Sequence, residues 1–141
     1  MIAAMGAPIE ALREVPLFAA LQESDLEELC QQLYERHYPE GSEVTTEGST
    51  GAGFFVIVEG NADVSVGGEH RTTLGPGDHF GEIALIDDGI RSASIVAATD
   101  LLCFAMTPWE FRPFVEEHPS VAWTLLETLA RRSREAQAPD R

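Results

Sequence analysis

Apolar residues recur along this chain at two different spacings, and the spacing changes twice. In the first part they return every three or four positions, as an amphipathic helix requires: Leu26, Leu29, Cys30 and Leu33. Ser24 and Glu27 stand just ahead of this run with the spacing of a capping box. We therefore predict a helix that begins at this box and ends near residue 36.

Between residues 39 and 106 the apolar residues form short runs separated by glycines. Each run is β-branched or aromatic and predicts a strand: 43–46, 53–58, 62–66, 70–74, 93–97 and 101–105. Gly67 and Gly68 are typical of a tight hairpin turn. Short strands at regular intervals predict a mainly β fold, an eight-stranded antiparallel jelly-roll barrel. The segment 80–86 breaks this rhythm and predicts a short helix inserted between two strands.

Helical spacing returns at Thr107, where Pro108 and Glu110 complete the pattern of a helix start. A last helix follows Pro119, with its apolar residues again at helical intervals. We therefore predict a single domain over residues 1–141, since this length suits one core. Its parts are N-terminal helices in 1–37, the β-barrel in 38–106 and two C-terminal helices in 107–136.

The charge balance restricts the partners of the chain. Nine arginines, no lysine and 24 acidic residues give a formal charge of −15. Such a chain repels nucleic-acid phosphates and anionic lipids, so we expect no DNA binding by this chain and no membrane contact. The N-terminal residues lack a secretion signal, and no apolar run reaches the roughly 18 residues of a membrane span. We expect a cytoplasmic protein with Cys30 and Cys103 as reduced thiols.

The stretch FGEIALIDDGIRSASI contains the candidate chemistry. Arg91 offers a planar fork that matches two phosphate oxygens, and Gly81 allows a ligand close to the backbone from Gly81 to Ala84. An ionised Glu82 only accepts hydrogen bonds, so it needs a hydroxyl or amine on the same ligand. Together these residues predict a compact nucleotide with its phosphate folded onto its sugar.

FGEIAL followed by RSASI resembles the phosphate-binding cassette of the cyclic nucleotide-binding domain family. That family includes the catabolite activator protein and the regulatory subunits of protein kinase A. The resemblance covers roughly residues 15–135. Further motifs of the family occur in their usual order, among them Pro39-Glu-Gly41, Phe55-Val-Ile-Val-Glu-Gly60 and Leu74-Gly-Pro-Gly-Asp78.

The resemblance implies a role for each residue of the cassette. Glu82 accepts a hydrogen bond from the ribose 2′-hydroxyl, and Arg91 pairs with the exocyclic phosphate oxygens. Amides near Gly81, Ile83, Ala84 and Ala93 complete an anion cradle, and Ser92 can touch phosphate or base. Val64, Val66 and Thr72 are expected to line the base side, and Arg132 to reach toward the ligand from the last helix.

The function implied is a sensor module without catalytic or metal-binding residues. It binds cyclic AMP in preference to cyclic GMP and passes the signal through its C-terminal helices to a partner protein or to a second copy. The chain stops at Arg141, before the helix-turn-helix that similar transcription factors add.

Two alternatives stay open. One is a ligand-free pseudo-sensor that acts as an interaction scaffold. The other is a cupin-like jelly-roll metal protein, which the sparse histidines disfavour. All four are interpreted as ordinary surface or packing residues, although His79 and Glu82 form an H-x-x-E pattern: His37, His70, His79 and His118.

Overall fold

A computed structural model describes residues 9–45, 53–86 and 93–137 of the chain. Helices flank the strands at both ends: α1 (Ile9–Arg13), a 3-10 turn (Pro16–Phe18), α2 (Glu23–Gln32), α4 (Pro108–Glu117) and α5 (Pro119–Gln137). One short helix interrupts the strands, α3 (Glu82–Ile86). The strands are β1 (Tyr34–Tyr38), β2 (Glu43–Thr45), β3 (Phe54–Glu59), β4 (Ala62–Val66), β5 (Glu69–Leu74), β6 (His79–Phe80), β7 (Ser94–Ala97) and β8 (Leu101–Met106).

The strands form two antiparallel sheets of four strands each. Their orders are β1-β8-β3-β6 and β2-β7-β4-β5. The mainly β class with flanking helices is thus confirmed, but the predicted closed barrel is wrong for the described strands. No pairing joins the two sheets within the described ranges, so their edges stay separate.

Strands β3 and β8 form the centre of the first sheet and are buried on both faces. Phe54 and Val56 of β3 face a core built with the helices, whereas Phe55 and Ile57 face a second core shared with the other sheet. Because side chains alternate along a strand, a strand between two cores must be apolar throughout. This accounts for the unbroken run from Phe54 to Val58.

The first helical region is shorter than its sequence pattern predicts. Helix α2 ends at Gln32, and its N-cap is Gln22 rather than Ser24. Leu33 is already extended, and Tyr34–Tyr38 pairs with β8 along its whole length. The predicted helix to residue 36 and the helical region to 37 are therefore wrong at this end, because pairing with a central strand overrides local periodicity.

The other helices begin and end nearer to their predicted positions. Helix α3 occupies the place predicted for an inserted helix, directly after the short strand His79–Phe80 that the pattern did not reveal. At the start of α4 the Glu110 carboxylate accepts the Thr107 backbone N–H at 3.1 Å, as a capping box requires. Helix α5 begins at Pro119 as expected.

Within the described ranges, no helix is both long enough and apolar enough to cross a membrane.

Two glycines in left-handed backbone permit a test of how closely the loops that connect the two sheets pack against each other. Gly60 (φ +89°) connects β3 to β4, and a Cβ there would lie 2.1 Å from the carbonyl oxygen of Asp100. Gly41 has nearly the same φ, +88°, but a Cβ there would meet no atom within 4 Å. The two positions therefore share the backbone strain and differ in the clash.

We expect Gly41→Ala to lower the free energy of unfolding by about 1–2 kcal/mol, the cost of left-handed backbone. Gly60→Ala should cost roughly 1–3 kcal/mol more, because the loop at Asp100 must also move. Urea unfolding of both variants measures the difference, and equal losses would contradict the close approach.

Candidate ligand-binding site

Glu82 is the first residue of α3 and is almost completely buried, with 2% of its surface exposed. The two residues before α3 set its position. Strand β6 ends at Phe80, and Gly81 (φ +97°) turns the chain into the helix in a conformation that favours glycine. The predicted sugar acceptor therefore lies inside the protein, at the junction of a strand and a short helix.

Two cations, or potential cations, share the Glu82 carboxylate. The His79 Nδ1 lies 2.8 Å from Oε1, and the Arg132 Nη1 donates to Oε2 at 3.2 Å. His79 belongs to β6 and is itself buried, whereas Arg132 belongs to α5 and keeps 41% of its side chain exposed. A single carboxylate thus connects β6, α3 and the last helix.

These contacts decide the charge of Glu82. Burial acts to raise the pKa of the carboxyl, but the hydrogen bond and charge of His79 and the charge of Arg132 outweigh it. The net result is a pKa below the ordinary value of 4.5. Glu82 is therefore ionised at neutral pH and can only accept hydrogen bonds.

The residues expected on the base side lie in the second sheet. Val64 of β4 is opposite Thr72 of β5 and opposite Ile95 of β7. Val66 lies two residues further along β4 and faces the same side of the sheet. Val64 packs partly against the second core, and Thr72 is exposed, so this face passes from the core to solvent.

Other predicted residues are described in part or not at all. Gly81 precedes α3, Ile83 and Ala84 lie within it, and Ala93 stands directly before β7. Arg91 and Ser92, the predicted phosphate contacts, lie outside the described residues. The sequence interpretation missed the role of His79, although its H-x-x-E spacing to Glu82 is the pattern that brings the two side chains together.

No cluster of three or more metal-ligating side chains occurs in the part of the chain that the structure describes. His79 and Glu82 are accompanied there by an arginine, which is not a metal ligand.

The family model of the cyclic nucleotide-binding domain matches residues 35–118, more than half of the chain. The chain belongs to the cyclic nucleotide-binding domain family. The matched range contains all of β1 except Tyr34, the strands β2 to β8, and the helices α3 and α4, and therefore His79 and Glu82.

Named relatives agree with this membership. The cyclic AMP receptor protein of Thermus thermophilus is 35% identical over 126 residues, which cover 86% of this chain and 58% of that protein. A cAMP-dependent protein kinase regulatory subunit of Aspergillus niger is 40% identical over 92 residues, 64% of this chain and 22% of that protein.

The fold of this cyclic nucleotide-binding domain is also similar to a solved structure. The crystal structure of Thermus thermophilus catabolite activator protein superimposes with a TM-score of 0.77 at 34% identity, over 86% of this chain and 59% of that chain. The chain thus spans less than two thirds of the length of each of these matches.

The depressed pKa of Glu82 has a consequence for stability in acid. A carboxyl whose folded pKa lies below its unfolded value stabilises the fold above the unfolded value. This contribution is lost as the pH falls from about 4.5 through the lower folded pKa. We expect Glu82→Gln to lower the free energy of unfolding by about 1.5–3 kcal/mol at neutral pH, the range for hydrogen bonds to a charged group.

The difference between parent and Glu82→Gln should shrink as the pH falls below 4.5, since Gln has no proton to gain. Urea unfolding across this range measures it. Glu116→Gln is the matched control, because Glu116 pairs with Arg112 at the surface and should change stability by less than about 0.5 kcal/mol. A difference for Glu82→Gln that does not vary with pH would contradict the assignment.

Proposed function

We propose that this domain is a non-catalytic sensor that binds a cyclic nucleotide, with cyclic AMP preferred over cyclic GMP. The observation that carries the proposal is the buried, ionised Glu82 at the start of α3, inside the range matched by the family model. An ionised carboxylate in that position suits a ligand that presents a hydroxyl. The relatives named for cyclic AMP support the choice of nucleotide.

In the proposed complex the sugar and the phosphate bind to different parts of the cassette. Glu82 accepts the ribose 2′-hydroxyl, and Arg91 pairs with the phosphate oxygens through its planar fork. The amides of the segments on either side, near Gly81 to Ala84 and at Ala93, complete the anion contacts, with Ser92 beside them. The face that carries Val64, Val66 and Thr72 receives the base.

The Glu82–Arg132 contact supplies the proposed coupling to the rest of the chain. Arg132 donates to Oε2 of Glu82, so a ribose hydroxyl that approaches this oxygen meets a group on α5. Ligand and helix therefore compete for, or share, one carboxylate. A ligand that binds one position of α5 better than another shifts the populations of the two positions.

The proposed output is association with a second copy through α5. Its exposed face carries apolar side chains at helical spacing, Trp123 (64% exposed), Leu126 (57%) and Ala130. Between Pro119 and Ala130 the helix has one charged residue, Glu127, so two copies can approach there despite a chain charge of −15. We further propose that residues 1–141 form one domain and that the strands follow a jelly-roll path, which the observed strand order supports.

A ligand-free scaffold is the second candidate, and one observation favours it. Both oxygens of Glu82 already have partners in the protein, and the carboxylate is 2% exposed. In a pseudo-sensor this arrangement would be permanent, and no cyclic nucleotide would displace Arg132.

Calorimetry against cyclic AMP, cyclic GMP and plain AMP separates the two candidates. We expect cyclic AMP to bind more tightly than cyclic GMP, and plain AMP to bind weakly. We expect Arg91→Ala to weaken cyclic AMP binding by roughly 2–5 kcal/mol, as removal of one partner of a desolvated charge pair does.

Arg112→Ala is the matched control, because it removes the same charge from an exposed position on α4 and should leave binding unchanged. Absence of binding by the parent chain would favour the scaffold. Equal binding by Arg91→Ala and the parent would contradict the phosphate assignment.

Sedimentation of the chain at micromolar concentration, with and without cyclic AMP, tests the proposed association. We expect a dimer for the parent and a monomer for Trp123→Glu, because a charge in the apolar contact is desolvated without a partner. Trp109→Glu is the control, since Trp109 is similarly exposed but lies on α4. A monomeric parent in both conditions, or equal dissociation of both variants, would count against α5 as the interface.

A further inference from the structure

His79 is a buried polar group to which the proposed function assigns no role. Its side chain is 9% exposed, whereas those of His37 and His70 are 68% and 58% exposed. It lies on β6, where it is in register with Val56 of β3, and thus at the edge of the first sheet. An imidazole in this position needs a polar partner, and the partner it has is Glu82.

The His79 ring packs against an aromatic side chain of the core. Its centroid lies 5.6 Å from that of Phe54, at an interplanar angle of 36°. Phe54 in turn packs on Phe111 of α4 at 5.0 Å. The ring is therefore supported by the core between the first sheet and the helices, and its Nδ1 is directed at Glu82 by rigid elements rather than by a loop.

The contact with Glu82 also specifies which ring nitrogen carries a proton. Nδ1 lies 2.8 Å from Oε1 of a carboxylate that is ionised and can only accept. Nδ1 must therefore be the donor, whether the ring is neutral or charged. Histidine with a defined tautomer is a means of orienting a second functional group.

The two partners of Glu82 differ in how easily they can leave. His79 approaches Oε1 from a buried strand, with 9% of its side chain exposed. Arg132 approaches Oε2 from the last helix, with 41% exposed. The buried His79 therefore binds Oε1, and Arg132, which can move into solvent, binds Oε2. Oε2 is therefore the oxygen that can accept a hydrogen bond from a ligand in place of Arg132.

We propose that His79 is a positioning residue that sets the selectivity of the site for a ribose over a deoxyribose, by holding Oε1 so that Oε2 faces the sugar hydroxyl. The inference rests on the proposed cyclic nucleotide binding and adds to it the residue that orients the acceptor. Loss of the His79 donor leaves Glu82 free to turn toward Arg132 with both oxygens, which weakens the contact to the 2′-hydroxyl. The contacts to the phosphate do not involve His79.

His79→Phe removes the donor and keeps an aromatic ring against Phe54. We expect this variant to bind cyclic AMP about tenfold more weakly in calorimetry, the equivalent of about one hydrogen bond to a charged group. Binding of 2′-deoxy cyclic AMP should change less than about twofold, since that ligand lacks the hydroxyl. The ratio of the dissociation constant for 2′-deoxy cyclic AMP to that for cyclic AMP therefore falls.

His79→Asn provides a rescue, because its amide nitrogen can donate from nearly the place of Nδ1. It should recover most of the ratio, and His37→Phe, which replaces an exposed imidazole, should leave the ratio as in the parent. Equal weakening of both ligands by His79→Phe would indicate a structural effect and overturn the proposal. An unchanged ratio would overturn it as well.

A measurement on the unaltered chain covers the case in which His79→Phe does not fold. Long-range ¹H–¹⁵N spectra report which ring nitrogen is protonated. We expect Nδ1 of His79 to carry a proton and its signal to shift with cyclic AMP but little with the 2′-deoxy ligand. An unprotonated Nδ1 overturns the positioning role alone. Failure of the parent to bind either nucleotide in calorimetry overturns the proposed function, and with it this inference.

Discussion

The negative charge of a buried carboxylate must be offset by cations or hydrogen-bond donors. Here the groups that offset it connect β6, α3 and α5. Glu82 is 2% exposed and is held between His79 of β6 and Arg132 of α5. An unpaired charge at this depth would cost several kcal/mol, so neither partner is incidental. The last helix is therefore connected to the candidate site through a charge, and Val121 and Leu125 pack it against the core.

The two cores give this charge its rigid surroundings. β3 and β8 are buried on both faces, so they fix β6 at the edge of the first sheet and Phe54 against the helices. Close-packed side chains of this kind allow little displacement. The pairing of β6 with β3 sets the position of His79, and the turn at Gly81 sets that of Glu82.

The acidity of the chain sets the condition under which the proposed ligand binds. With a formal charge of −15, the protein as a whole repels an anion. The proposed binding therefore relies on local groups: the arginine of the cassette, backbone amides, and a carboxylate that accepts from a neutral hydroxyl. Arg132 is one of nine cations in this acidic chain, and it lies against the buried Glu82 and offsets its charge.

The local sequence pattern was sufficient to predict the elements that depend on nearby residues, and to recognise the family. The runs at 62–66 and 101–105, the cap at Thr107 and the inserted helix could be predicted because side-chain spacing and turn residues act over a few positions. The cassette from Phe80 to Ile95 is likewise contiguous, so the family could be recognised from it. The family match over 35–118 confirms the membership, whereas the roles of the individual cassette residues stay predictions.

The features that the sequence pattern did not predict depend on contacts between segments that are far apart in the chain. Tyr34–Tyr38 is a strand because it pairs with β8, and the helical spacing that ends at Leu33 did not reveal this partner. Among the described strands no pairing joins the two sheets, because strand order, not strand count, determines which edges meet. The link from Glu82 to Arg132 spans 50 residues, and no local spacing predicts a contact that arises when α5 folds back on the site.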